Sequence, residues 1–300
     1  MSAFKKAVKT KLKARVALVG PSGGGKTFSA LSIAQGLLLP GGRIAVIDTE
    51  RGSASKYSDL FDFDVLELTS FEPQKYVDAM QEAANANYPV LVIDSLSHAW
   101  NAKGGLLEQV DNFAKKSSSG NSFAAWKTAT PIQNEFIDAI LSYPGHVIVT
   151  MRVKMEYLVE KDEKTGKQTP KKIGLAPVQR DSLEYEFDLV GDINIDHELI
   201  VTKSRCHILA DKVIMKPGKD VGAVLLGWLD DGAEKSAAAL EYAKAEISAC
   251  AALDDLRKVK EELRTAGDVY WTDEIKGIIQ ARVAELTPTP TKAEPEAVAA

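Results

Sequence analysis

The chain has 300 residues, 45% of them apolar and 26% charged, with a formal net charge of −5. This is the composition of a soluble globular protein, with chain enough for one large domain and a smaller one. Two cysteines without CxxC spacing exclude a disulfide framework and a readable zinc site. No apolar run approaches the ~20 residues that cross a bilayer, so no membrane partner is expected, and a reducing cytoplasm is the expected location.

The net charge averages over unlike regions. Residues 1–15 carry Lys5, Lys6, Lys9, Lys11, Lys13 and Arg15 without an acid, a basic arm able to touch phosphates, whereas the chain beyond about Gly232 leans acidic. Between them, short apolar runs alternate with longer amphipathic ones: RVALV, then a helix from Lys26; RIAVID, then a short helix; DVLEL, then PQKYVDAMQEAANA; VLVID, then a long mixed segment; and HVIVT. Strands without polar alternation are buried on both faces, and helices between them make parallel crossovers. The spacing therefore predicts an α/β layered domain over 16–232 with a mostly parallel central sheet.

After Thr150 the charged stretch 153–177 reads as an exposed hairpin or mobile loop. DLVGDINID, ELIVTKSR and HILADKVIM then alternate in period two, which predicts antiparallel strands along one edge. From Glu234 the spacing of Leu253, Leu256, Val259 and Leu263 marks a small helical domain over 233–286. The Pro/Thr/Ala/Glu-rich tail 287–300 is expected to be disordered.

The stretch Gly20-Pro21-Ser22-Gly23-Gly24-Gly25-Lys26-Thr27 fits the phosphate-binding pattern GxxxxGK[ST], with a buried strand before it and an amphipathic helix after it. Its glycines let the backbone turn amide N–H groups inward, making an anion nest at the positive end of the helix. Lys26 would reach the β- and γ-phosphates and Thr27 would offer a hydroxyl to Mg²⁺. Gly20 through Phe28 (Gly20, Pro21, Ser22, Gly23, Gly24, Gly25, Lys26, Thr27 and Phe28) form the expected ATP-binding set. The bland alternative is a glycine-rich turn that only links strand to helix.

Asp94 ends the apolar strand VLVID and is placed to hold the magnesium with Thr27; an acid there also serves as a turn or helix cap. The residue after it is Ser95, where many such ATPases carry a catalytic Glu. Glu50, in IAVIDTERG, is the expected base: if its strand lies beside that of Asp94, its carboxylate can take a proton from the attacking water. The alternative makes Thr49 and Glu50 capping residues at the start of a helix near Gly52 and Ser53.

The combination GPSGGGKT, IDTE and VIDS resembles the RecA/recombinase branch of P-loop ATPases. The region from about Lys9 to Gly218, including HVIVTMRVK, PVQRDSLEYEFDLVGDI and VTKSRCH, is similar to phage-encoded RecA-core ATPases, some of which act as single-strand annealing proteins. The resemblance implies a RecA-like P-loop NTPase core in which Thr150, at the end of its strand, senses the γ-phosphate. It also implies that Lys203 and Arg205 reach a neighbouring subunit's nucleotide, against the alternative that they are the solvent face of an edge strand. DNA-contacting loops are implied at about 101–125, with Lys115 and Lys116 beside SSSGNS, and at 153–177, with Lys164, Lys167, Lys171 and Lys172. Tyr157 and Trp126 offer limited stacking, and the acids Glu160, Asp162 and Glu163 leave a merely solvated hairpin open.

Phe4 and Ala7 match a Phe-x-x-Ala peptide by which some recombinases link subunits, although the basic arm could equally bind DNA. Nothing in the sequence decides the role of Arg180. His98, His146, His197 and His207 lack metal-ligand spacing and read as structural, and Trp100 and Trp228 as core or interface residues. The expectation is an ATP- and Mg²⁺-dependent ATPase in the cytoplasm of a phage-infected host. It would form a homo-oligomeric ring or filament on single-stranded DNA, with a single-strand-binding protein as a further partner for its C-terminal helices. An ATP-gated loading factor is the alternative; a small-molecule kinase is disfavoured because no Arg-rich lid follows.

Overall fold

The structure, a computed structural model, describes residues 12–116, 122–161, 168–180, 182–229, 233–266 and 270–287, with backbone alone at 122, 155–161, 168–175 and 233–239. Phe4, Ala7 and most of the basic arm, residues 117–121 of the SSSGNS segment, Lys164, Lys167 and the tail from 288 onward lie outside the described residues, as do the side chains of Tyr157, Lys171 and Lys172. Two compact units divide between residues 229 and 230. Among the described residues no helix is long and apolar enough to cross a membrane.

The first unit is built on one sheet. Strands β1 (Arg15–Gly20), β2 (Ile44–Asp48), β3 (Asp64–Glu67), β4 (Val90–Asp94) and β5 (His146–Lys161) are followed by β6 (Gln168–Pro177), β7 (Leu189–Ile193), β8 (Glu198–Ser204) and β9 (Val213–Met215). The order across the sheet is β3-β2-β4-β5-β1-β7-β8-β9, with β6 pairing β5 off this path. From β3 to β7 all neighbours are parallel, and β8 and β9 add antiparallel strands at one edge. The predicted mostly parallel sheet with an antiparallel edge is the observed one, a RecA-like P-loop fold.

β1, β2 and β4 are buried at every position, as unbroken apolar runs require. Their side chains alternate between two cores. Val16, Leu18, Val46 and Val92 pack with helix α1 (Lys26–Leu37) on one face, while Ala17, Val19, Ile47 and Ile93 pack on the other with Tyr76 of α2 (Pro73–Asn85). The α1 face is completed by α6 (Lys219–Leu229). There the helices meet backbone to backbone: a Cβ on Gly222 would lie 2.2 Å from the Ile33 carbonyl oxygen, and one on Gly36 2.1 Å from that of Lys219.

The segment after β4 departs from the expected flexible loop. It forms α3 (Ser97–Asn101), α4 (Leu106–Lys116) and α5 (Ser122–Ser142). Leu106 and Val110, one turn apart, bury against Ala125 and Ala129, and Trp100 stacks on Trp126 with ring centroids 5.9 Å apart. A helical apolar stripe at i and i+4 was hidden in what looked like a polar Lys/Ser stretch. The described residues of 153–177 are paired strands: β5 pairs β1 in parallel as far as Arg152, then β6 in antiparallel from Val153. Thr150 therefore lies inside a strand rather than at its end.

Arg15 is likewise not part of an arm. It opens β1 and is 7% exposed, its guanidinium donating to the carbonyls of Ala14, Leu141, Tyr143 and Gly145 at 2.5–3.1 Å. Burial pulls its pKa down to about 10, against the opposing pull of Asp188. The second unit contains α7 (Ala233–Ala249), α8 (Leu253–Thr265) and α9 (Asp273–Leu286) around Leu256, Leu263, Ile275 and Ile279.

Two predictions follow from this packing. His146 is buried, its Nδ1 accepts from the Ala14 N–H at 3.0 Å, and burial, then Lys13 and Arg15, depress its pKa from 6.5 to about 3. Below pH 6.5 the unfolded chain binds a proton that the folded ring refuses, so stability present above that pH is lost as pH falls toward 3, by about 2 kcal/mol at pH 5. Denaturant unfolding of His146→Asn at pH 7 and pH 5 is expected to show a pH-dependent loss smaller than the wild type's by about that amount. Gly222→Ala is expected to lower stability by roughly 1–3 kcal/mol in the same assay, because its methyl meets backbone rather than a movable side chain.

Candidate functional site

The loop between β1 and α1 is held open by two left-handed glycines, Gly23 (φ 82°) and Gly25 (φ 91°), conformations that residues with a Cβ rarely adopt. Helix α1 makes its first intrahelical bond from the Ser29 N–H to the Gly25 carbonyl, so the amides of Lys26, Thr27 and Phe28 precede it. Donors without intrahelical partners at the positive end of a helix dipole favour an anion. The turn between β7 and β8 leans on this loop: a Cβ on Gly20 would lie 2.3 Å from the Ile193 carbonyl oxygen, and His197 Nδ1 is 3.0 Å from the Gly24 carbonyl oxygen.

The loop opens into a cavity of about 820 Å³ lined by Ser22, Gly23, Gly25, Lys26, Thr27 and Phe28 on one side. Glu50, Asp94, Arg152, Tyr57, His197 and Lys216 also line it. Phe28 packs edge-on against Tyr57 and Phe61, at 5.8 and 5.2 Å between centroids. Lys26 Nζ donates to the Pro21 carbonyl at 2.8 Å, inside its own loop. Burial lowers the Lys26 pKa, Asp94 and Glu50 push it back up, and Arg152 adds to the lowering.

Asp94 is 2% exposed and is gripped from two sides. Thr27 Oγ1 donates to its Oδ2 at 2.6 Å and Thr150 Oγ1 donates to its Oδ1. Burial raises the Asp94 pKa, the two hydroxyls oppose that rise, and Glu50 and Asp48 reinforce it. A hydroxyl and a carboxylate oxygen converging beside a phosphate nest are the hard oxygen donors that Mg²⁺ takes from protein, the rest of its shell being phosphate and water. The donor set fits that ion.

β2 lies directly beside β4, with Asp48 opposite Asp94, which brings Glu50 to the same mouth. Ser95 Oγ donates to Glu50 Oε1 at 3.2 Å. Arg152 grips both oxygens of Glu50, Nε to Oε1 at 2.9 Å and Nη2 to Oε2. Burial alone would raise the Glu50 pKa, but Arg152, with His98 and Ser95, brings it below the ordinary carboxylate value. His98 joins through Thr49, whose hydroxyl is 2.8 Å from His98 Nδ1 and accepts from the Ser95 N–H, also at 2.8 Å.

The sequence-predicted residues thus divide. Lys26, Thr27, Glu50 and Asp94 share one cavity. Thr150 is fully buried and bound to Asp94, so it touches the site through that carboxylate rather than by facing a phosphate. Lys203 and Arg205 lie at the other end of the sheet. β8 runs antiparallel, with Ser204 opposite Leu189 at the start of β7, so they do not approach the P-loop of their own chain. Lys203 Nζ donates to the carbonyls of Glu184 (3.0 Å), Tyr185 (2.7 Å) and Phe187, and Arg205 pairs with Asp188 at 3.1 Å.

Arg152 and His197 line the cavity and His98 and Thr49 brace it, places that the sequence reading did not give them. His98 and His197 hold Thr49 and the Gly24 carbonyl, contacts of the structural kind expected for the histidines. HVIVT reads as a strand ending at Thr150 and the loop begins at 153, which leaves Arg152 without a place; the signal that could have found it is the alternation continuing through Met151 and Val153. His98 stands four residues after Asp94, a spacing without a motif of its own.

A family profile described as an AAA domain, AAA_24, matches residues 12–219. No curated protein matches the chain. Among solved structures, a KaiC-like protein from the hyperthermophilic archaeon Pyrococcus horikoshii OT3 is similar at 16% identity over 68% of this chain and 86% of that chain, with a TM-score of 0.38. The profile match takes in the P-loop, both acidic strand ends, Arg152 and the β7–β9 edge. The chain belongs to this AAA domain family, and its nucleotide site is that of a P-loop NTPase with a RecA-like sheet.

Proposed function

We propose that the protein is a magnesium-dependent ATPase that assembles into homo-oligomers on single-stranded DNA and serves phage recombination, annealing or replication. The observation that carries the catalytic part is the convergence of Thr27 on Asp94 beside a glycine-lined amide nest, with Glu50 one strand away. The amides of 23–28 and Lys26 would hold the β- and γ-phosphates, and Thr27 and Asp94 would hold Mg²⁺. When bound, that ion supplies neutralisation of phosphate charge and alignment of its oxygens. Glu50 would accept the proton of the attacking water, and Thr150 would fix the carboxylate of Asp94 against rotation. The assembly reading rests on the resemblance and on Arg205, half exposed at the sheet end away from its own P-loop. The single-stranded DNA and single-strand-binding partners rest on the resemblance alone.

The test is ATP turnover with and without single-stranded DNA. Lys26→Ala is expected to cost at least about 100-fold in kcat/KM, and Glu50→Gln about 10²–10⁴-fold in kcat with no loss of nucleotide affinity. Arg205→Ala is expected to bind nucleotide normally and to lose DNA-stimulated turnover. Normal hydrolysis by Glu50→Gln would refute the base assignment; wild-type turnover and DNA retention both indifferent to nucleotide and DNA would refute the recombinase reading. Thr150→Val, isosteric but without the hydroxyl, is expected to raise the Mg²⁺ concentration needed for half-maximal turnover and to leave Mg²⁺-free nucleotide binding unchanged.

A further inference from the structure

We propose that Arg152 is a catalytic residue that exchanges partners: it holds Glu50 when no γ-phosphate competes, and moves onto the γ-phosphate when ATP binds, freeing Glu50 and neutralising the charge that develops in hydrolysis. The inference rests on the ATPase reading above and adds to it a cation supplied by the same chain.

Three observations carry it. First, the backbone of Arg152 is anchored while its side chain is half exposed. Its N–H donates to Ser97 Oγ at 2.8 Å, its carbonyl accepts from the Val178 N–H at 2.8 Å, and its side chain is 49% exposed. Second, Arg152 lines the phosphate cavity with Lys26, Thr27 and Asp94, so its guanidinium has a second destination within the same space. Third, its fork occupies both oxygens of Glu50, and Oε1 also accepts from Ser95. A carboxylate with three of its roughly four acceptor sites taken and its charge matched by a guanidinium is a poor acceptor for a proton from water.

Exposure and charge permit the exchange. The Arg152 side chain is 49% exposed against 21% for Glu50, so the guanidinium is the open member of the pair and a competing anion can reach it. A terminal phosphoryl group offers the same planar fork three oxygens and about two negative charges, a stronger partner for a guanidinium than one carboxylate. ADP ends at the β-phosphoryl, which the loop amides and Lys26 would hold, and has nothing at the γ position, so with ADP the pair with Glu50 persists and the base stays blocked. With ATP the step balances. The water oxygen bonds to the γ-phosphorus and its proton passes to the released Glu50. The bond from the γ-phosphorus to the β–γ bridging oxygen breaks, leaving ADP and phosphate, while Arg152 faces the equatorial oxygens.

The experiment measures affinity for Mg·ADP and for a Mg²⁺-bound β,γ-imido ATP analogue, together with kcat, in the wild type, Arg152→Ala, Arg152→Lys, Glu50→Gln and the Arg152→Ala/Glu50→Gln double variant. Arg152→Ala is expected to bind the triphosphate analogue at least about 10-fold more weakly, to keep ADP affinity within about 2-fold, and to lose about 10³-fold in kcat. Arg152→Lys, a cation without the fork, is expected to fall between. Glu50→Gln removes the competing carboxylate charge and is expected to bind the analogue several-fold more tightly, a gain that vanishes in the double variant. An unchanged triphosphate-to-diphosphate preference in Arg152→Ala would overturn the proposal whether kcat falls or rises, since a residue that only positions Glu50 would not alter that ratio. A wild type that binds neither nucleotide would instead overturn the ATPase reading itself. Thermal melts of each variant separate misfolding from these outcomes, and the Glu50→Gln affinity gain decides the matter should Arg152→Ala not fold.

Discussion

Everything in the first unit is arranged around one buried carboxylate. Asp94 sits at 2% exposure at the end of a fully buried strand, where an ionised group without partners would cost several kcal/mol. Two hydroxyls answer that cost, Thr27 from the first turn of α1 and Thr150 from β5. Because each hydroxyl belongs to a different element, satisfying Asp94 also sets the height of the P-loop helix against the sheet and the register of β5 beside β4. The position of the nucleotide site and the stability of the sheet's centre are therefore one constraint.

That constraint explains why the loop is so rich in glycine. A helix whose first turn must reach Asp94 brings the preceding loop hard against the β7–β8 turn, and Gly20 has no room for a Cβ beside Ile193. Gly23 and Gly25 serve a different need, the positive φ that turns amides toward the cavity. Close approach and inverted backbone are separate physical demands, and the one sequence GPSGGGKT answers both.

How much of this was legible in the sequence depends on the range of the interaction involved. The P-loop, Asp94 and the alternating cores of β1, β2 and β4 were readable because each rests on local spacing. The adjacency of the Glu50 strand to the Asp94 strand was readable as a condition, and the register of Asp48 opposite Asp94 meets it. Contacts between strands far apart in the chain were not readable: Arg152 meets Glu50 across 102 positions and His98 meets Thr49 across 49. The helices at 106–116 and 122–142 were missed for another reason. Their apolar stripe is short and set among Lys, Ser and Asn, so composition outweighed period.

The geometry also ranks the two cations at the far end of β8, which the sequence treated as a pair. Lys203 has three carbonyl partners in the turn before β7, and burial lowers its pKa despite the acids nearby. Withdrawing it would leave the Glu184 and Phe187 carbonyls without that donor, a cost of about 1–3 kcal/mol for each one left dry. Arg205 holds the partly buried Asp188 and the Tyr185 carbonyl with a side chain that is 53% exposed, and both keep a donor when the guanidinium leaves: Asp188 the backbone N–H of Arg15 at 2.9 Å, and Tyr185 the Lys203 ammonium at 2.7 Å. On the proposed reading, then, Lys203 builds the turn that presents Arg205, and Arg205 is the cation free to serve a neighbour. The arrangement parallels Arg152, a guanidinium on fixed backbone with one exchangeable carboxylate partner, so the site would draw its mobile positive charge from two arginines that are both parked on acids.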